Sequence, residues 1–285
     1  MEKESLFKKF WKILLILILA GIFILGTEVL GGILAGLVLN DLDYDVNSYN
    51  VFTDYYPIIL FIVQLTRLIG IACIIVLRKS HFKSKPFSSY IKKHDLRLLD
   101  FFKLLVIGLA MIAVSSIIVG VLLAMADFIP SLAESYKNLE EITANLDKAY
   151  PILGFISTVI MAPILEELML RGVFFEETRR IVSAKTAIIL NGVLFGLVHM
   201  NIIQGAYATF LGIIICLVYY YTDSIYAAIA LHFVNNLVST LVAASTTISI
   251  IQLVISFICL PIAFKLLKGY RDKKINREEN TYIVA

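Results

Sequence analysis

The chain has 285 residues, 59% of them hydrophobic and 16% charged, with a formal net charge of +3. Charged residues make up about 25% of an ordinary soluble domain, so the composition excludes one. The apolar residues come in long blocks, which makes this an all-α polytopic membrane protein whose partner is the lipid bilayer. The small positive charge bears on membrane topology, and no nucleic acid is expected.

About eight transmembrane helices are predicted, over 11–39, 57–77, 104–126, 151–175, 187–200, 205–221, 225–243 and 247–266. A spanning helix needs roughly 20 apolar residues. The first block follows "MEKESLFKKFWK". It is much longer than a signal-peptide core and no clear small-residue cleavage site follows, so it reads as a retained helix. Between the third and fourth blocks, 127–150 has the spacing of a short amphipathic helix on the outer surface. It reads as a solvated connector, with substrate gating as the other reading. The fifth block is short or re-entrant: a helix from Thr186 to Met200 reaches only about 21 Å. His199 would then lie at membrane depth against a cavity, where non-helical backbone is tolerated.

The cations sort by loop. Lys3, Lys8, Lys9 and Lys12 precede the first block, and Arg78 to Arg97 holds a basic loop. Arg179, Arg180 and Lys185 follow the fourth block, and the tail after 264 is basic. The loops 40–56 and 127–150 are acidic, with only Lys137 and Lys148 as cations. Both termini are therefore expected in the cytoplasm of a multi-pass cell-membrane protein. The short chain and compact loops suggest a bacterial one. Three parts are delimited: N-terminal helices and loops over 1–146, a core over 147–246, and the last helix with its basic tail over 247–285. Cys73, Cys216 and Cys259 match no metal or disulfide pattern.

Polar residues inside apolar helices are costly and mark function or pairing. Glu28 and Arg67 fall near mid-depth and are expected to pair across two helices. Glu166, Glu167 and Arg171 end the fourth block in "EELMLRG". Glu167 and Arg171, four apart on one face with the acid first, suit an ion pair. Glu166 is rotated about 100° away and can face a cavity. Phe195 lies one turn from His199, and His232 one turn from Asn236.

Glu166-Glu167-x-x-x-Arg171, Phe195-x-x-x-His199 and His232-x-x-x-Asn236, in this order on separate membrane helices, resemble the three motifs of the CPBP intramembrane endopeptidases. That family includes the type II CAAX prenyl proteases and the Abi-type bacteriocin-processing and immunity proteins. The resemblance covers roughly residues 150–245. It implies peptide-bond hydrolysis inside the membrane, at a cavity opening to the cytoplasmic side, on a membrane-associated peptide or protein. Carried over, Glu166 and His199 activate water, while His232 and Asn236 form the oxyanion site. Glu167, Arg171 and Phe195 are support. No metal or other cofactor is implied by that mechanism. The alternative is zinc held by Glu166, His199 and His232, a ligand set of the kind zinc hydrolases use, although no HExxH is present. Two other classes stay open: a non-catalytic scaffold or bacteriocin self-immunity protein, and a transporter with a polar relay.

Overall fold

The structure, a computed structural model, describes residues 5–41, 54–81, 97–146, 150–242 and 246–284. These form α1 (Leu6–Asp41), α2 (Tyr56–His81), α3 (Leu98–Ala124), α4 (Pro130–Leu146), α5 (Pro151–Thr178), α6 (Ala184–Leu197), α7 (Ile202–Thr222), α8 (Ile225–Val242) and α9 (Thr246–Val284). No strand occurs among the described residues. Six helices are long and apolar enough to cross a membrane, while α6 and α8 are shorter. The protein is thus an all-α polytopic membrane protein, and each expected apolar block falls on a helix. The basic loop at 82–96 lies outside the described residues.

Two elements differ from the sequence expectation. The last helix runs on past 266 to Val284, because its basic end has partners to hold it. Lys274 Nζ contacts both carboxylate oxygens of Asp223 at 3.0 Å, and Arg277 donates to the Tyr221 carbonyl at 2.7 Å. The amphipathic helix α4 is more than a connector, since Leu132, Ser135 and Asn145 on it are buried. Ser135 Oγ donates to Asn201 Oδ1 at 2.9 Å, Asn201 Nδ2 donates to the Ser135 carbonyl at 2.8 Å, and the Ile203 N–H donates to Ser135 Oγ at 3.2 Å. Those three bonds fasten α4 across the α6–α7 turn.

The helices alternate in direction and so define two faces. On one lie the α4 helix, the starts of α2 and α5, and the α6–α7 turn. Tyr55 and Tyr150 meet there with ring centroids 6.5 Å apart. The start of α3, the end of α5, the α7–α8 turn and the end of α9 share the other. Among the described residues Lys137 is the sole lysine or arginine on the α4 face. Arg97, Lys103, Arg179, Arg180, Lys185 and the α9 cations gather at the opposite one.

The outer surfaces of α1 and α9 stay apolar, with Ile18, Leu25, Phe257 and Phe264 exposed, as a lipid-facing surface requires. Inside, Leu104 and Met111 of α3 pack with Ile215 and Tyr219 of α7 and Leu231 of α8. Helices in lipid associate through close packing, which small residues permit. Here α6 and α7 meet through Gly192 and Gly196 against Gly205, Thr209 and Gly212. A Cβ on Gly192 would stand 2.8 Å from the Thr209 carbonyl oxygen, whereas one on Gly21 of α1 would meet nothing within 4 Å.

Gly192→Ala is therefore expected to destabilise the protein by about 1–3 kcal/mol through overpacking. The measurement is Tm in detergent, with Gly21→Ala, expected to be neutral, as the control.

Candidate active site

Helix α5 is wound unevenly around its carboxylates. Ile156–Met161 and Leu170–Phe175 are π-helical, and Ala162–Met169 between them is α-helical. Such segments concentrate at functional sites because they release backbone groups from the helix ladder. In the first, the Ala162 N–H bonds the Ser157 carbonyl, five residues back. The next residue in that register is Pro163, which has no N–H to give Thr158. The freed Thr158 carbonyl instead accepts Asn236 Nδ2 from α8 at 2.9 Å. In the second, the Leu170 carbonyl accepts Asn191 Nδ2 from α6 at 2.8 Å. Two side-chain amides thus tie neighbouring helices to α5 on either side of Glu166.

Glu167 is wholly buried, as is Arg171. Its Oε1 accepts Arg171 Nη1 at 2.8 Å, the ion pair expected from the spacing, and also His232 Nδ1 at 2.8 Å. Arg171 Nη2 donates to the Gly212 carbonyl at 2.8 Å, and its guanidinium carbon lies 5.0 Å from the Phe195 ring centre. One carboxylate therefore fixes α5, α7 and α8 together. Phe195 is the spacer of this cluster, edge-on to His199 at 5.1 Å and to His232 at 5.4 Å. Gly212 has no room for a side chain because a Cβ would stand 2.8 Å from Phe195 Cδ1.

The same contacts set both tautomers. A carboxylate paired with arginine and a backbone carbonyl can only accept. His232 must then donate its Nδ1 hydrogen to Glu167. His199 likewise donates Nδ1 to the Phe195 carbonyl at 2.7 Å. In the neutral form each ring is left with Nε2 as its basic nitrogen. His199 sits just beyond α6, where Met200 (φ 53°) turns the chain sharply and Asn201 caps α7 by accepting the Gln204 N–H at 2.9 Å.

Glu166, near the middle of α5, turns away from Glu167 and is only partly buried. His232 Nε2 is 4.0 Å from its Oε2, and Arg67 Nη1 of α2 is 4.0 Å from its Oε1. Arg67 makes the expected ion pair with Glu28 of α1, and it also reaches Glu166, which spacing within one helix could not reveal. A cavity of about 480 Å³ holds these groups: Glu28, Arg67, Glu166, His199, His232 and Asn236 all line it. This size lies in the range of small-ligand pockets and suits a few residues of extended peptide. The helix α4 also contributes to its wall through Leu139, Ile142, Thr143 and Leu146. The zinc alternative needs three ligands converging on one point. Among the described residues no three His, Cys, Asp or Glu side chains are so placed.

These features define a polytopic membrane protein with carboxylate, imidazole and amide groups around a cavity among its helices. Residues 148–238 match the family model described as Type II CAAX prenyl endopeptidase Rce1-like. The matched segment is the one that carries the three motifs by which the chain resembles these proteases. No curated protein and no solved structure matches the chain. The matched segment carries Glu166, Glu167, Arg171, Phe195, His199, His232 and Asn236, while Glu28 and Arg67 lie outside it.

Arg171→Met would strand the Glu167 charge in the core. Breaking a buried pair in this way costs about 3–5 kcal/mol, to be seen as a collapse of Tm that Glu166→Gln does not share. The Glu28→Gln/Arg67→Gln double variant removes both members of the other pair and leaves no orphan charge between them. It is expected to keep Tm within a few degrees, while peptide cleavage slows on the order of 10²-fold through loss of Glu166 positioning.

Proposed function

We propose that this protein is an intramembrane endopeptidase in which Glu166 and His199 activate a water molecule. The family match over residues 148–238 supports a membrane-embedded protease, and the convergence of Glu166, His199, His232 and Asn236 on one cavity carries the mechanism. Amide hydrolysis needs a base for water, an acid for the leaving amine and donors for the oxyanion. The 4.0 Å gap between Glu166 Oε2 and His232 Nε2 is too long for a direct hydrogen bond and admits one water bonded to both.

In the proposed step Glu166 takes a proton from water while His199 Nε2 orients it. The water oxygen bonds to the scissile carbonyl carbon, and the carbonyl oxygen becomes an oxyanion. Asn236 spends one N–H on Thr158 and has a second to give that oxyanion. Protonated on both nitrogens, His232 would keep Glu167 through Nδ1–H and offer Nε2–H as the other donor. Collapse breaks the C–N bond, and Glu166 returns its proton to the departing nitrogen. One water is consumed, giving a carboxylic acid and an amine, and the acid's proton then passes to the amine to leave a carboxylate and an ammonium. Arg67 holds the Glu166 carboxylate against recoil, and Phe195 fixes the two rings.

The substrate is a membrane-associated peptide or protein. Glu166→Gln should fold normally and lose about 10²–10⁴-fold in rate, the share usual for general acid–base catalysis. Mass spectrometry of peptides released from membranes bearing wild type or Glu166→Gln measures this and names the substrates. Equal release from both would leave the scaffold reading in its place. Full cleavage after stringent chelation is expected, and metal-dependent recovery would restore zinc.

A further inference from the structure

Gln64 of α2 carries a polar atom that the fold leaves unpaired. The residue is 2% exposed, and its Oε1 is buried with no hydrogen-bond partner among the described residues. An unpaired buried oxygen costs stability, and in a native fold it calls for a reason. Glu167, Arg171, Ser157, Thr178 and Asn191 carry such an atom too, but none of them lines the cavity. Gln64 does. An occupant of the cavity can therefore supply the missing partner.

Its place on α2 puts Gln64 beside the reacting groups. Tyr56, Leu60, Gln64, Arg67 and Ile71 recur at helical spacing on one face of the helix, and all of them line the cavity. Gln64 is one turn from Arg67, whose Nη1 lies 4.0 Å from Glu166 Oε1. The α2 helix lies outside the segment matched to the protease family, 148–238, and none of the three motifs gives Gln64 a part. Its chemistry suits polypeptide backbone. A glutamine amide holds an acceptor and a donor side by side, and its last side-chain torsion is soft enough to turn either toward the cavity. In an extended chain the N–H and carbonyl of one residue point the same way, as in the hydrogen-bonded pairs of a β-ladder. One glutamine amide can meet both.

We propose that Gln64 is a substrate-binding residue that reads backbone: its Oε1 accepts the N–H, and its Nε2 donates to the carbonyl, of one residue near the scissile bond. The occupant is an extended stretch of polypeptide, the substrate of the peptidase reading, on which this rests. A helical segment already spends that N–H within its own backbone and is refused until it unwinds. Proline has no N–H to give and is refused at that one position. The side chain there is free to vary, because the contact is to the main chain.

The test uses the full chain in detergent and compares wild type with Gln64→Met, which keeps the side chain's length and removes its amide. Since the substitution deletes an unpaired oxygen, Tm is expected to hold or rise. A clear fall in Tm makes Gln64 a structural residue and overturns the proposal. The probe is a peptide whose release from membranes is lost in Glu166→Gln. It is synthesised with its scissile amide intact and one other backbone N–H at a time replaced by an ester oxygen. In wild type, one such replacement is expected to raise KM on the order of 10-fold, as the loss of this bonding gives. Gln64→Met is expected to show that rise with the unmodified peptide at unchanged kcat, and to be indifferent to the ester at that position. Equal ester penalties in both proteins at every position overturn the proposal and leave the peptidase reading intact, as does a fall in kcat at unchanged KM. If no peptide release depends on Glu166, the peptidase reading fails and takes a polypeptide partner for Gln64 with it.

Discussion

A carboxylate in the middle of a membrane protein has no water to hydrate it, so donors from its own helices must do so. Glu167 meets this with two donors on one oxygen, Arg171 from its own helix and His232 from α8. Everything at the site follows from that node. Arg171 carries the tie on to the Gly212 carbonyl of α7. His232 is turned so that its Nε2 points to Glu166. Phe195 fills the space between guanidinium and imidazoles. Taking two ions out of water is unfavourable in itself; what the pair provides is a fixed geometry for its neighbours.

The adjacent carboxylates do different work because a helix turns about 100° per residue. Glu167 points into the bundle and Glu166 into the cavity. The α5 backbone adds to this division. Its π-helical turn and Pro163 free the Thr158 carbonyl, and Asn236 is held by it. A residue that removes a hydrogen bond from one helix has thereby positioned an amide on another. The helices before the matched domain are not a passive frame. The α2 helix brings Arg67 to Glu166, and α1 supplies Glu28 to hold Arg67. Both lie at the cavity wall.

The two faces of the protein are built differently. Toward the basic face Phe175 and Tyr219 are buried, and Lys274, Asp223 and Arg277 are laced together. The α4 face holds a cavity roofed by one amphipathic helix on a few side-chain bonds. Glu166 faces that cavity, while the Glu167–Arg171 ion pair beside it is wholly buried.

Much of this was legible in the sequence because two signals are local. Long apolar blocks are enough to make helices in lipid, where every backbone group must bond within its own segment. Helical spacing is enough to pair Glu167 with Arg171 and to turn Glu166 aside. Motif order added His199, His232 and Asn236. What only the tertiary structure decided depends on contacts between helices far apart in sequence. His232 bonding Glu167, Asn236 bonding Thr158 and Arg67 reaching Glu166 each join different helices, and no periodicity within one helix encodes a partner on another. The solvated-connector reading of 127–150 failed for the same reason. Its amphipathic spacing called for an apolar surface to cover, and only the fold reveals that Leu139, Ile142 and Leu146 of this helix line the cavity.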